Sequence, residues 1–137
     1  MCDSQIVETF KKIQLPDYLE WGWDERFCSA LLVIQNNFKD DLDKGVNKAY
    51  TDKWDASNFD KAPDNITKLI KHLCGIKPAQ MIYSRTLDNG TLFFGAHWPW
   101  INSPLISFRV GAYNADWSYK KQLEKGKLIK NYIYNKE

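Results

Sequence analysis

The stretch that decides the fold is MIYSRTLDNGTLFFGAHW, residues 81–98. Apolar and polar side chains alternate on both sides of Asp88-Asn89-Gly90, and a period of two is typical of half-buried β-strands. Asn-Gly is the strongest short signal for a hairpin, because a type I′ turn needs a positive φ at both central residues. The sequence therefore predicts two antiparallel strands joined by a two-residue turn at Asn89 and Gly90.

The predicted turn fixes the register of the hairpin, in which Met81 faces Trp98 and Ile82 faces His97. Successive side chains of a strand point to opposite faces of the sheet. The predicted core face carries Met81, Tyr83, Leu87, Leu92, Phe94, Ala96 and Trp98. The predicted outer face carries Ile82, Ser84, Thr86, Phe93, Gly95 and His97.

A third strand is predicted over residues 105–113, which again alternate between apolar and polar side chains. Its outward side chains include Arg109, which joins Phe93 and His97 on the outer face. A guanidinium forms paired, charge-assisted hydrogen bonds with an anion, and Gly95 leaves room for a close approach. This face is either a binding site or a solvent-facing surface that the C-terminal tail partly covers.

Apolar residues three and four positions apart predict helices in the first half of the chain. Short helices are expected at residues 6–13 and 64–73, and a longer amphipathic helix at residues 27–42. Residues 28–34 form a largely apolar run, so a buried strand is the alternative there. The helical interpretation is favoured by the length of the pattern.

The charge distribution divides the chain into an acidic first part and a basic second part. The whole chain of 137 residues carries a formal net charge of +2. Residues 1–64 contain 13 acidic and 8 basic side chains, whereas residues 65–137 contain 4 and 11. The basic part ends in a Lys-rich tail, predicted to be helical from Asp116 to Lys125 and to break at Gly126. Such an uneven distribution of charge along the chain influences which partners the protein attracts more than it influences the fold.

Together these elements predict one α+β domain over residues 1–137, with N-terminal helices packed on a C-terminal antiparallel sheet of three or more strands. Residues 1–75 are expected to be mainly helical and acidic, and residues 76–137 to form mainly a β meander with a basic tail. The start of the sequence does not resemble a signal peptide, and the longest apolar run is too short to span a bilayer. A cytoplasmic location without membrane association is therefore expected.

The sequence contains no pattern that is typical of a catalytic centre or a metal site. His72 and His97 are too far apart for paired metal-ligand spacing, and no Cys-x-x-Cys motif occurs. Three scattered cysteines also argue against a disulfide framework. Residues 41–52 partly imitate a calcium loop, but Val46 stands where the sharp turn needs Gly. We therefore expect no catalytic residue, no metal and no cofactor.

The expected function is recognition of another protein, of the inhibitor, immunity or adaptor type, and the expected partner carries an anionic patch. The candidate partner-binding residues are Phe93, His97, Trp100, Arg109, Lys120 and Lys121. Trp100 lies between two prolines and is either an aromatic anchor or a core residue.

The sequence is compatible with two other functions. Lysines interleaved with aromatic residues in the tail are suited to bind nucleic acid or a nucleotide through the basic C-terminal half. The third alternative is a small enzyme that uses His97 and Arg109.

Overall fold

The computed structural model describes residues 2–135 and has an α+β architecture. Within these residues, four α-helices accompany six β-strands. In chain order they are α1 (Cys2–Phe10), β1 (Gly22–Asp24), β2 (Ser29–Gln35), α2 (Lys39–Val46), β3 (Asp52–Trp54), α3 (Asp64–His72), β4 (Met81–Thr86), β5 (Leu92–Pro99), β6 (Leu105–Tyr113) and α4 (Tyr119–Asn135). The predicted α+β class is confirmed, but the helices are not all N-terminal, because α4 follows the last strand.

The six strands form one antiparallel sheet in the order β1-β2-β6-β5-β4-β3. The predicted meander corresponds to β4, β5 and β6. The first half of the chain, expected to be mainly helical, supplies the other three strands and adds them on both sides of the meander. The two halves of the chain therefore share one sheet, instead of forming a helical layer and a separate β layer.

The long helix predicted over residues 27–42 is wrong, and the strand alternative is correct. β2 pairs with β1 along one edge and with β6 along the other. Its even-numbered residues are buried on one face, while its odd-numbered residues from Leu31 onward point to the other, where Val33 is 44% exposed. The spacing of the apolar residues in this segment fits both the period of a strand and that of a helix. The segment is a strand because its backbone forms hydrogen bonds with β1 on one side and with β6 on the other.

The two faces of the sheet carry different layers. The first face is covered by α1, α2 and α4, and its core includes Leu32, Phe93, Phe108, Ile6, Phe10, Leu42, Val46 and Ile129. The second face is covered in part by α3, whose Ile66, Leu69, Ile70 and Leu73 cluster with Ile82, Leu92, Phe94 and Ala96. Both faces of the central hairpin are therefore buried, although its sequence predicts one inner and one outer face.

The turn of this hairpin is one residue longer than predicted. Asn89 and Gly90 do adopt positive φ angles, of 62° and 74°. However, Asp88 is also part of the loop, since the Leu87 N–H donates to the Thr91 carbonyl oxygen over 2.7 Å. A three-residue loop with Gly in a left-handed conformation is the next most common hairpin connection.

The longer loop shifts the register, so the predicted pairing is wrong. Met81 faces His97, and Tyr83 faces Gly95. A slip of one residue moves the side chains of one strand to the opposite face relative to its partner. Gly95 therefore offers no room to a ligand, because a Cβ there would lie 2.6 Å from the Phe108 ring and 2.8 Å from the Tyr50 hydroxyl.

The predicted helix break at Gly126 is also wrong. α4 runs from Tyr119 to Asn135 without interruption. Gly126 is buried where the helix packs on Cys28, and a Cβ at this position would overlap the Cys28 sulfur. The glycine therefore permits close packing of α4 and does not end the helix.

Candidate functional site

The three residues of the predicted outer face do not come together. Phe93 and His97 project into the core of the first face and are 0% and 1% exposed. Arg109 pairs with Ala96 and projects from the second face. The predicted shared surface is therefore wrong because of the register shift, and an enzyme mechanism that uses His97 and Arg109 together has no geometric basis.

Trp100 lies at the surface, in the loop between β5 and β6. Its side chain is 46% exposed, and that of Ile101 is 85% exposed. The backbone N–H of Trp100 donates to the Leu105 carbonyl oxygen over 2.9 Å, and Asn102 has a positive φ of 55°. The loop thus presents two large apolar side chains to solvent on a closed backbone.

Lys120 and Lys121 are exposed in the first turn of α4. This helix packs on the first face, where its Ile129 joins the core. The two lysines therefore lie on the other side of the sheet from Arg109.

One part of the second face lies beside the cluster under α3 and is only partly buried: Val33 is exposed, Leu31, Leu105 and Arg109 are half-buried, and Ser107 is buried. This part, which we call the open sheet face, consists of Leu31, Val33, Leu105, Ser107 and Arg109. These residues do not belong to the cluster that α3 forms with β4 and β5. The open sheet face is therefore a boundary between the packed core under α3 and the solvent.

A cavity of about 300 Å³ lies between the open sheet face and the C-terminal end of α3. The lining of this cavity includes Arg26, Phe27, Lys77, Trp98, Ser107 and Arg109. They come from the segment before β2, the segment after α3, and the strands β5 and β6. Of the described residues that line the cavity, three are cationic and none is Asp or Glu.

Arg109 is held in place by the folded chain. Its Nε donates to Asp24 Oδ2 over 2.6 Å, and its Nη1 donates to Ser107 Oγ over 2.8 Å. The guanidinium carbon lies 4.8 Å from the centre of the Trp98 ring and 5.6 Å from that of Phe27. Ion pairing and cation–π contact together fix the orientation of the cation.

Trp98 contributes a hydrogen-bond donor that the protein leaves unused. Its ring packs edge-on against Phe27 at 5.3 Å between centroids. The indole Nε1 is buried, and no acceptor for it occurs among residues 2–135. A buried donor without an acceptor costs about 1–3 kcal/mol.

A second group of ionisable side chains, which sequence reasoning missed, lies under the first face. The Tyr83 hydroxyl donates to Asp43 Oδ1 over 3.2 Å, and burial together with the Asp43 carboxylate raises the pKa of Tyr83. Burial lowers the pKa of His97, and neither of its ring nitrogens has a hydrogen-bond partner among the described residues. No sequence signal links Asp43 to Tyr83, because their contact arises from the packing of α2 on the sheet.

Residues 2–135 contain no group of three or more His, Cys, Asp or Glu side chains that could hold a metal ion. No helix in this range is long and apolar enough to cross a membrane. Comparison with models of protein families, with curated proteins and with solved structures found no match.

Proposed function

We propose that the chain is a non-enzymatic binding protein that recognises another protein through the open sheet face and the loop of Trp100 and Ile101. Inhibitor, immunity and adaptor proteins act in this way, and a cytoplasmic location is part of the proposal. One observation carries it: three helices cover the first face, whereas the open sheet face leaves Val33 exposed and is continued by a loop with two exposed apolar side chains.

The exposed apolar side chains support a protein as the partner. Val33, Trp100 and Ile101 are 44%, 46% and 85% exposed. Binding energy at protein interfaces concentrates in a few large side chains, with Trp among the most frequent, surrounded by polar groups that exclude water. Trp100 stands on a closed loop, so less conformational freedom is lost when it is buried by a partner. It is the expected anchor.

The cations beside the open sheet face indicate the charge of the partner. Arg26, Lys77 and Arg109 line one cavity, where only Arg109 has a close carboxylate partner within the described residues. Complementary charge speeds association and selects against the wrong partners. An acidic patch on the partner would fit this surface.

Nucleic acid is the alternative partner, and its support comes from the start of α4. Tyr119 is 79% exposed beside two lysines, which suits base stacking next to phosphate contacts. Further along the helix, Lys125 pairs with Asp3 over 2.6 Å and Lys130 pairs with Glu25 over 3.0 Å. These ion pairs reduce the positive potential of the tail, so the protein partner is favoured.

The test is affinity capture from lysate of the native host, with mass spectrometry of what is retained. The chain is compared with the double variant Trp100→Ser, Ile101→Ser, and Tyr119→Ser serves as the control for an exposed ring elsewhere. We expect one stoichiometric protein with the parent chain and with the control, and its loss with the double variant. Thermal unfolding checks that all three remain folded.

Two results would contradict the proposal. One is capture of the same protein by the double variant at the parent level. The other is recovery of nucleic acid that is lost with Tyr119→Ser and whose binding falls steeply as salt rises, since counterion release governs phosphate contacts.

A further inference from the structure

We propose that the cavity beside Arg109 receives the carboxylate of an acidic side chain of the partner. The proposal rests on the proposed function, because it names the group by which the partner protein is recognised. The carboxylate would lie among Arg26, Lys77 and Arg109, beside the Trp98 ring.

The charge of the cavity is the first argument. Three cationic side chains line it without an acidic one, and Asp24 neutralises only Arg109. Two positive charges therefore remain uncompensated within the described part of the site. An anion is the ligand that such a site stabilises, and several cations around one cavity suit an acidic surface with more than one carboxylate.

The chemistry of the donors is the second argument. Arg109 already binds a carboxylate, that of Asp24, and its two observed hydrogen bonds use two of the five N–H donors of a guanidinium. A carboxylate has two acceptor oxygens, which can accept hydrogen bonds from the guanidinium donors that these two bonds do not use.

The size and shape of the cavity are the third argument. Its volume of about 300 Å³ is at the lower end of the range for small-molecule sites. The Phe27 and Trp98 rings form an apolar part of the wall, against which the methylene stem of Glu or Asp can pack. A short acidic side chain matches both the apolar wall and the cations.

The experiment follows the indole N–H signals of the ¹⁵N-labelled chain by NMR. The six tryptophans give six signals, and Trp98→Phe assigns that of Trp98 by its absence. The probe is the capped peptide acetyl-Gly-Glu-Gly-amide, and the matched neutral probe is acetyl-Gly-Gln-Gly-amide. We expect the Glu peptide to shift the Trp98 signal in a saturable manner and the Gln peptide to leave it in place.

Variants of the exposed cations link the shift to the cavity. Lys77→Gln and Arg26→Gln are each expected to weaken binding of the Glu peptide by about fivefold, as when a partly exposed charge pair is lost. Lys127→Gln, which removes an exposed charge on α4, is the control and should change nothing. Arg109 is not replaced alone, because its loss would leave Asp24 without its partner.

Three results would overturn the proposal: no movement of the Trp98 signal, equal movement with the Gln peptide, or equal affinity in Lys77→Gln and Lys127→Gln. Tighter binding of acetyl-triglycine with a free C-terminal carboxylate would overturn the assignment to a side chain. None of these results depends on the capture experiment. If capture still requires Trp100 and Ile101, the proposed function stands and only the carboxylate assignment fails.

Discussion

The two faces of the sheet differ in how completely they are covered. On the first face three helices bury Phe93, Phe108 and their neighbours, down to 0% exposure. On the second face α3 covers the hairpin, while Val33 stays 44% exposed and a basic cavity stays open. The comparison indicates that the first face supplies most of the stability of the fold. The open part of the second face carries Arg26 and Lys77, which have no close carboxylate partner among the described residues, and Trp98, whose indole N–H has no acceptor there. These groups do not stabilise the fold through ion pairs or hydrogen bonds.

The largest expected effect is the difference in unfolding free energy between a substitution on the first face and one on the open sheet face. Phe108→Ala removes a ring that is 0% exposed on the first face, and such a change costs about 3–5 kcal/mol of unfolding free energy. Val33→Ala on the open sheet face should change it by less than about 0.5 kcal/mol. Urea denaturation measures both. Similar losses in the two variants would show that the open sheet face is packed as tightly as the first.

The next largest effect concerns the contribution of Arg109 to the free energy of unfolding. Its ion pair with Asp24 is mostly buried, with 18% and 13% of the two side chains exposed. Arg109→Gln should therefore cost about 1.5–3 kcal/mol, the range for hydrogen bonds to charged groups. The double variant Arg109→Gln, Asp24→Asn should recover most of this loss, because no charge is left unpaired. Additive losses in a double-mutant cycle would contradict this explanation.

A smaller effect is expected from His97, the buried histidine of the first face, on how the stability of the protein depends on pH. Burial lowers the pKa of His97, so the native state binds fewer protons than the unfolded state in mild acid. Stability should therefore decrease as the pH falls below about 6.5, the ordinary value for histidine. His97→Leu should reduce this dependence more than His72→Gln does, because burial lowers the pKa of both histidines but His97 is 1% exposed whereas His72 lies at the surface. An unchanged pH profile of the unfolding free energy in His97→Leu would show that His97 becomes protonated without penalty.

The smallest effect on stability is expected for the lysines of α4. Lys120→Glu with Lys121→Glu should change the unfolding free energy by less than about 0.5 kcal/mol. Binding of the captured partner should become slower at low salt only, since these charges lie across the sheet from the cavity and act by long-range attraction. Surface plasmon resonance at two salt concentrations measures the association rate. A loss of affinity that persists at high salt would place the interface on α4 instead.

The sequence was sufficient where structure is decided locally. The third strand was predicted at residues 105–113 and is found at Leu105–Tyr113, and the helix predicted at 64–73 is found at Asp64–His72. The Asn-Gly signal also predicted the positive φ angles of the turn. Each of these features depends on backbone preferences and side-chain alternation within a few residues.

The sequence was insufficient to predict features that depend on contacts between distant segments of the chain. A turn of two or three residues can carry Asn89 and Gly90 equally well, and the choice between them places His97 outside or inside. Because both faces of the hairpin are buried, its alternation did not separate core from surface. The sequence identifies Arg109 as a candidate, but Arg26 and Trp98 join it only because β2, β6 and β5 are neighbours, and Lys77 joins it because α3 packs on the same face.

The central claim is that the open sheet face and its loop contact a partner protein, and site-specific photo-crosslinking tests it most directly. p-Benzoylphenylalanine is placed at Ile101, which is 85% exposed, and separately at Tyr119, which is 79% exposed on the other side of the sheet. The account predicts that the captured protein becomes covalently linked at position 101 and not at position 119. Crosslinking at position 119 alone, or equally at both positions, would contradict it.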